Sequence, residues 1–297
     1  MNTRMQVQLL PDRRRLHLHD GPIDLIIEAF GAPCEIEVGY QAATHRFATV
    51  LDELCSELSL LRSSYHADGP QPTGLVAQRM ASAVAPYASQ TFITPMAAVA
   101  GAVAEEILAT MISATDLDRA YVNDGGDIAI HLQPGEQFVI GMVERPDRPS
   151  LFGSVTLTAD QPSRGIATSG WRGRSFSLGI ADSVTVLADR AAMADAAATI
   201  IANAVDLPGN PLITRVRARD LAPDSDLEDR LVTQGVGDLA GSDISAALDA
   251  GSAMAQSLLS AGLIRAAALG LRQQRRLITP PDTPLKITSS HGSLVHA

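Results

Sequence analysis

The chain has 297 residues, of which 46% are hydrophobic and 19% are charged, and its net charge is −10. This composition excludes a disordered chain, and the length fits one large domain or two small ones. An acidic protein repels nucleic acid phosphates. Its two short basic clusters, Arg13-Arg14-Arg15 and Arg275-Arg276, are typical of solvated turns or chain ends. We therefore expect no nucleic acid binding.

The N-terminal segment MNTRMQVQLLPDRRR contains no apolar stretch of signal-peptide length. The nearest candidate for a membrane span is residues 246–271, but this segment contains Asp249 and Arg265, which are costly in lipid. Cys34 and Cys55 form no disulfide framework, and we predict two reduced, buried thiols. We therefore expect a cytoplasmic protein without membrane contact.

The first half of the chain is predicted to open with strands and to continue with helices. The predicted strands are residues 7–10 and 15–18, which form a hairpin, and residues 23–29 and 34–40. Helical spacing of apolar residues covers 44–62, and a short helix is predicted at 75–85. Thr94 and Pro95 begin a further helix over 96–113, because Pro is favoured at the first helical position.

The second half alternates short strands with helices. Strands are predicted at residues 120–122, 128–132, 138–143, 153–157, 165–168 and 183–188, followed by a helix at 191–205. Residues 239–271 are predicted to be two helices, and residues 279–297 a poorly ordered tail. No regular βαβ repeat is present. The predicted fold class is therefore α+β, with mostly antiparallel sheets packed against Ala-rich helices in one domain over residues 1–278.

A glycine turn follows the strand at residues 120–122, in the sequence VNDGGDI. Gly125 and Gly126 permit positive φ and close approach of backbone N–H groups to a ligand, while Asn123 and Asp127 add polar groups. A hairpin turn with polar decoration explains the same residues. The segment is not a GxGxxG fingerprint, because no strand–loop–helix unit surrounds it.

A second polar turn is GIATSG, in which Thr168, Ser169 and Gly170 end a strand. Two hydroxyls and a flexible backbone can bind a phosphate or a carbonyl, but a tight strand-end turn has the same composition. Trp171 and Arg172 follow directly, and could stack on or pair with a ligand or lie at the surface.

Asp195 and Thr199 lie four residues apart in MADAAATI, with alanines between them. On a helix they share one face, and their oxygens suit Mg²⁺, which takes oxygen ligands and keeps several waters. An exposed Asp and a Thr bonded to its own helix is the structural alternative. No histidine has metal-ligand spacing, and no Walker loop or GxSxG elbow is present.

Taken in order, VN-x-GGDI, IATSG and ADAAAT resemble the ApbE superfamily, flavin transferases that attach FMN from FAD to a protein threonine. The segments LLPDRRRLHLHDGPIDLIIEA, TPMAAVAGAVAE and PDSDLEDRLVT resemble a cytoplasmic branch of that superfamily found in methanogens and methylotrophs. The resemblance implies a shared ligand cleft. It places Gly125, Gly126, Asp127, Thr168, Ser169 and Gly170 at a flavin site, and Asp195 and Thr199 at Mg²⁺.

The transferases have a His-Ile-x-Asp-Pro stretch between the second and third segments. This chain has WRGRSFSLGIADSVTVLADRAAM there, with no histidine and with Asp182 as the carboxylate before the strand. We therefore expect an ApbE-like fold that binds a small flavin-, pterin- or nucleotide-like molecule with a divalent metal, with an unassigned reaction and a link to tetrahydromethanopterin-dependent one-carbon metabolism. The alternatives are a non-catalytic cofactor-binding protein, a homo-oligomeric scaffold, and an FMN transferase.

Overall fold

A computed structural model describes residues 4–143 and 151–280 of the chain. The strands are β1 (Gln6–Leu9), β2 (Leu16–Asp20), β3 (Ile23–Phe30), β4 (Arg119–Asp124), β5 (Asp127–Leu132), β6 (Gln137–Val143), β7 (Leu151–Thr158), β8 (Gly165–Ser169), β9 (Ser183–Ala188), β10 (Ile213–Arg217), β11 (Leu231–Val236), β12 (Ala266–Leu271) and β13 (Gln274–Ile278). The helices are α1 (Pro33–Ser56), α2 (Leu58–Leu61), α3 (Leu75–Val84), α4 (Val99–Ala114), α5 (Ala191–Ala204), α6 (Ala218–Leu221) and α7 (Gly241–Ser260), and a 3₁₀ turn, Pro95–Ala98, precedes α4.

The chain divides into two compact units. Unit 1 contains the residues up to 137 together with 158–167 and 188–196, and unit 2 contains 138–157, 168–187 and the residues from 197 onward. The expected single domain over residues 1–278 stays a prediction. The predicted tail, residues 279–297, lies outside the described residues from position 281 onward.

Unit 1 is built on strands in the order β1-β2-β3-β4-β5-β8, and the registers of these neighbouring pairs are antiparallel. Short turns join β1 to β2 and β4 to β5, whereas α1–α4 lie in the long connection between β3 and β4. Alternating burial along β2 and β4 shows that one face of the sheet carries the core. That face packs against α1 and α4, and the largest fully buried side chains there are Leu18, Leu25, Ile27, Phe47, Ile107 and Met111.

Unit 2 contains β9, β12 and β13 as adjacent antiparallel strands, with α7 packed on β12 and β13. Every residue of β9 is buried, which is typical of a central strand. Gly251 of α7 permits this packing, because a Cβ there would lie 2.3 Å from Val205 Cγ2 and 2.9 Å from Leu269 Cδ2. Two further pairs, β6 with β7 and β10 with β11, form separate two-stranded sheets.

The fold is α+β, with antiparallel sheets and Ala-rich helices, as predicted. The β1–β2 hairpin is confirmed, with Val7 opposite Leu18. Two predictions are wrong. Residues 34–40 are the first part of α1, whose initial residue is Pro33, and not a strand. Residues 266–271 are β12 and not helix, because this Ala-rich segment is paired on both sides, by β9 and β13.

The predicted burial of the cysteines and the predicted candidate for a membrane span both differ from the structure. Cys34 and Cys55 are free, but both are exposed, so their predicted burial is wrong. Among the described residues, one helical segment is long and apolar enough to cross a membrane by composition, and it is Pro95–Ala114 instead of residues 246–271. Over half of this window is buried inside the protein, and α4 packs against α1, α3, β4 and β5. A core helix of a globular unit has these properties.

Candidate functional site

The segment VNDGGDI forms the turn between β4 and β5. Asp124 and Asp127 face each other in the antiparallel register, and Gly125 and Gly126 form the two-residue loop with φ of 64° and 115°. Such hairpin turns require positive φ at both central positions, which explains the two glycines. Asn123 Oδ1 accepts a hydrogen bond from Gly126 N–H at 2.8 Å, which holds the turn closed. The loop is therefore a well-formed hairpin turn, and its ligand-binding role stays a prediction.

Asp124 ends β4 with a buried side chain. Its residue is only 7% exposed, and its carboxylate accepts a long hydrogen bond of 3.4 Å from Asp24 N–H. The sequence prediction assigned the neighbouring Asp127 to the ligand and gave Asp124 no separate role. The structure brings the charge of Asp124 close enough to act on Asp195.

Helices α4 and α5 cross in close contact at Gly101. A Cβ at this position would lie 2.4 Å from Ala191 O and 2.7 Å from Ala192 N, so glycine is required for the approach of the two backbones. Glycine weakens a helix, and this close approach explains why the Ala-rich segment nevertheless has a glycine at position 101. The contact brings the first turn of α4 within hydrogen-bonding distance of a side chain on α5.

That side chain is Asp195. Its Oδ2 accepts a hydrogen bond from Gly101 N–H at 3.0 Å, in the first turn of α4, where backbone donors have no partner within the helix. Desolvation by the surrounding protein, with a smaller contribution from the negative charge of Asp124, raises the pKa of Asp195 to about 7 against the opposing hydrogen bonds from Gly101 and Ala100. Two carboxylates thus repel each other in a poorly hydrated region.

Asp195 and Thr199 lie one turn apart on α5, as predicted. Both keep part of their surface exposed, while the alanines between them, Ala196 to Ala198, are buried. The oxygens of Asp195 and Thr199, on one helix, are the kind that a hard divalent cation takes. A cation would also relieve the repulsion between the two carboxylates. The residues present therefore fit Mg²⁺.

Within residues 4–143 and 151–280, no group of three or more His, Cys, Asp or Glu side chains has the arrangement of a metal site. This does not oppose Mg²⁺, because this ion is commonly held by one or two carboxylates together with waters and substrate phosphates. It does mean that the protein side chains alone form an incomplete ligand set.

A network of ion pairs around two buried carboxylates, which the sequence prediction missed, lies beside Asp195. Glu105 of α4 accepts a hydrogen bond from Ala192 N–H at 2.8 Å, in the first turn of α5. Its other oxygen pairs with Arg190 at 2.9 Å and with Arg79 at 3.3 Å. Each helix therefore supplies a carboxylate to the first turn of the other, Asp195 to α4 and Glu105 to α5.

The adjacent Glu106 belongs to the same network but faces different partners. Its carboxylate pairs with Arg46 at 2.8 Å and with Arg79 at 3.2 Å, and Arg46 also reaches Glu53 at 2.8 Å. These contacts tie α4 to α1 and α3. A sequence signal for the network existed, since Glu105 and Glu106 interrupt an otherwise apolar helix, VAGAVAEEILATM, and buried carboxylates require partners.

In unit 2, the predicted Thr168-Ser169-Gly170 segment ends β8. Thr168 Oγ1 lies 3.0 Å from Thr185 Oγ1 of β9, so this hydroxyl already has a protein partner. Gly170 has φ of 155°, and a Cβ there would lie 2.7 Å from Asp182 O. The segment is thus a tight strand-end turn packed on residues 181–182, and its role towards a ligand stays a prediction.

The sequence left open whether Trp171 and Arg172 contact a ligand or lie at the surface. In the structure both side chains contact Asp182. Trp171 Nε1–H and Arg172 Nε–H donate to Asp182 Oδ1 at 3.2 and 2.6 Å, and the guanidinium carbon of Arg172 lies 4.2 Å from the indole centroid. Arg272 N–H donates to Asp182 Oδ2 at 2.7 Å. Asp182, the carboxylate in the interval where the transferase histidine stretch is absent, is therefore bound by three donors of the chain itself.

Comparisons with known proteins give the family of the chain. A family model described as AbpE bacteria matches residues 7–277. Similar proteins include UPF0280 proteins of Methanopyrus kandleri, 39% identical over 43% of this chain and 48% of the relative, and of Methanothrix thermoacetophila, 40% identical over 40% and 49%. The UPF0280 protein of Methanobrevibacter smithii is 40% identical over 37% and 46%. The matched part thus spans about half the length of these relatives.

Two solved structures are similar at low identity. A variant of the flavin transferase ApbE from Vibrio cholerae is 12% identical, with a TM-score of 0.40 and coverage of 91% of this chain and 98% of that one. The apo flavinyl transferase ApbE of Pseudomonas stutzeri is 10% identical, with a TM-score of 0.43 and coverage of 98% and 96%. The assignment itself rests on the family match over residues 7–277: the chain belongs to the ApbE-like family described as AbpE bacteria.

Proposed function

We propose that this protein binds a flavin-like ligand together with Mg²⁺, and that Asp195 and Thr199 hold the metal. The observation that carries the proposal is the Asp195 carboxylate, which the fold keeps in a desolvated position beside Asp124 although this raises its pKa. A protein maintains such a destabilised carboxylate most readily where a function needs it. Pterin- and nucleotide-like ligands share the ring or phosphate chemistry and are the alternatives within this class.

The metal would supply positive charge to anionic groups of the ligand, such as phosphates. The chain's own residues have separate tasks. Asp195 and Thr199 provide oxygen ligands, and the hairpin at Gly125 and Gly126 lets a ligand approach its backbone closely beside Asp127. The Thr168-Ser169-Gly170 turn offers a backbone and a hydroxyl for a phosphate or ring carbonyl. The cytoplasmic location and the link to one-carbon metabolism belong to the same proposal.

The residues between the second and third family-like segments bear on which reaction the protein catalyses. FMN transfer is disfavoured because the interval of residues 171–193 has no histidine and its Asp182 is occupied by Trp171, Arg172 and Arg272. A metal-dependent transfer or hydrolysis of another kind, or binding without turnover, would use the same metal residues. A homo-oligomeric scaffold without a ligand is the competing class.

Titration of the purified protein with FAD and FMN, with Mg²⁺ or with EDTA, tests the proposal. Trp171 is the single tryptophan, so its emission reports on the turn next to Thr168-Ser169-Gly170. We expect Mg²⁺-dependent binding that Asp195→Asn and Thr199→Val weaken at least about tenfold. Asp249→Asn, at an exposed side chain of α7, is the control and should bind as the wild type does.

Binding that is insensitive to Mg²⁺ and to both variants would refute the metal assignment. Absence of binding for flavins, pterins and nucleotides alike would favour the scaffold alternative. Mass spectrometry after incubation with FAD and Mg²⁺ addresses FMN transfer, and we expect no flavin-sized mass increase on a threonine-containing acceptor protein.

A further inference from the structure

The contact between α4 and α5 in unit 1 is reciprocal. The carboxylate of Asp195, on α5, accepts the N–H of Gly101 in the first turn of α4. The carboxylate of Glu105, on α4, accepts the N–H of Ala192 in the first turn of α5. Since first-turn N–H groups have no partner within their own helix, each carboxylate completes the start of the other helix.

Glu105 is better anchored than an ordinary capping side chain. It is only 9% exposed, and besides Ala192 N–H it binds the guanidinium groups of Arg190 and Arg79. Arg190 is the residue directly before α5, so one carboxylate holds both the residue before the helix and the backbone of its first turn. The position of α5 along α4 is thereby fixed at Ala192.

The distance from this anchor to Asp195 is short. Ala192 and Asp195 are three residues apart on one helix, so they lie within a single turn. Gly101 removes any side chain between the helices, and a Cβ there would lie 2.4 Å from Ala191 O. A rotation or slide of the first turn of α5 would therefore move the Asp195 carboxylate relative to Gly101 N–H.

We propose that Glu105 is a positioning residue that fixes the first turn of α5 and thereby the direction of the Asp195 carboxylate. Its own carboxylate does not need to touch the metal or the ligand. The part of this inference that concerns the metal rests on the proposed function, whereas the positioning of Asp195 stands on the hydrogen bonds of the protein alone. Mutation of groups that orient metal ligands typically weakens metal affinity by about 10–100-fold.

The chain contains a matched control. Glu106 is the next residue of α4, is also buried and also pairs with Arg79, but its other partner is Arg46 of α1 and it has no bond to α5. Glu105→Gln and Glu106→Gln each neutralise one buried carboxylate of the same network while keeping the side-chain shape. A general loss of α4 packing should therefore affect both variants alike.

The first measurement is amide hydrogen exchange in metal-free buffer. We expect Glu105→Gln to speed exchange at Ala192 and at Gly101 by about tenfold or more, corresponding to the loss of a charge-assisted hydrogen bond. Glu106→Gln should leave both amides within about threefold of the wild type. Unchanged exchange at Gly101 in Glu105→Gln, or an equal change in both variants, would overturn the positioning role.

The second measurement is binding of Mn²⁺, used as a paramagnetic probe in place of Mg²⁺, followed by electron paramagnetic resonance. We expect Glu105→Gln to weaken Mn²⁺ binding about 10–100-fold and Glu106→Gln to change it less than about threefold. If the wild type binds no Mn²⁺, the proposed metal function fails, and the exchange result still decides whether Glu105 positions Asp195. If the wild type binds Mn²⁺ and Glu105→Gln binds it equally well, the positioning of the metal ligand by Glu105 is refuted.

Discussion

Asp182 in unit 2 is buried and Asp195 in unit 1 is partly exposed, and the charges around the two carboxylates differ. Asp182 accepts hydrogen bonds from an indole N–H, a guanidinium and a backbone N–H. Asp195 accepts from backbone N–H groups of α4, has no guanidinium among the partners that the structure gives it, and experiences the charge of Asp124. Donors of the chain offset the burial of Asp182, whereas Asp195 carries an electrostatic cost that a bound cation would offset.

The largest expected change in the free energy of unfolding comes from removing the Asp182 carboxylate. Asp182→Ala removes the acceptor of the Arg172 guanidinium, of the Trp171 indole N–H and of the Arg272 backbone N–H. We expect the free energy of unfolding to fall by about 3–5 kcal/mol, the usual cost of removing one partner of a buried ion pair. Urea unfolding followed by the emission of Trp171 measures the loss at the site itself.

Asp229→Ala is the control in the same unit. Asp229 pairs with Arg219 at the surface, where both side chains are about half exposed, so we expect a loss below about 1 kcal/mol. Equal losses for Asp182→Ala and Asp229→Ala would show that the three donors around Asp182 do not stabilise the fold.

An intermediate loss of stability is expected from a substitution at the contact between α4 and α5, beside Asp195. Gly101→Ala places a Cβ 2.4 Å from the backbone oxygen of Ala191, which cannot move without shifting α5. We expect a loss of at least about 2 kcal/mol in the free energy of unfolding. Gly241→Ala, at the first residue of α7 with no atom within 4 Å of the new Cβ, should be neutral or stabilising by up to about 1 kcal/mol. A Gly101→Ala variant with an unchanged free energy of unfolding would contradict the close contact between α4 and α5.

The smallest expected change in the free energy of unfolding comes from ionisation of the Asp195 carboxylate, and it depends on pH. Because the folded state raises the pKa of Asp195 from its ordinary value of 3.8 to about 7, the folded protein binds this proton more tightly than the unfolded chain does. The stability contributed by the protonated group is therefore complete at low pH and is lost as the pH rises through 7. In metal-free buffer at pH 8, Asp195→Asn should be more stable than the wild type by at least about 1 kcal/mol.

Thermal unfolding between pH 4 and pH 8 measures this difference. The advantage of Asp195→Asn should decrease as the pH is lowered and should disappear near pH 4. Adding Mg²⁺ should stabilise the wild type and leave Asp195→Asn unchanged, by linkage of binding to folding. A wild type that is more stable than Asp195→Asn at pH 8 without metal would reverse the comparison between the two carboxylates.

Periodicity and turn chemistry predicted the local elements well. The helices at 75–85 and 191–205 agree with α3 and α5 to within one residue, and the hairpin of β1 and β2 follows from its turn signal. The misplaced elements have physical explanations. Residues 34–40 have a strand-like composition, but Pro33 at the first helical position begins α1. Residues 266–271 have a helical composition, but hydrogen bonding to β9 and β13 overrides propensity.

The amino-acid sequence by itself determined the family-like order of VNDGGDI, IATSG and ADAAAT, the fold class, and the shared helix face of Asp195 and Thr199, because each depends on neighbours within a few residues. Only the tertiary structure decided which carboxylates are satisfied. Glu105 reaches Ala192, Gly101 reaches Asp195, and Arg272 reaches Asp182 over roughly ninety residues of chain. Burial and the charges around a group are set by such long-range contacts, and these distinguish a stabilising aspartate from one suited to hold a cation.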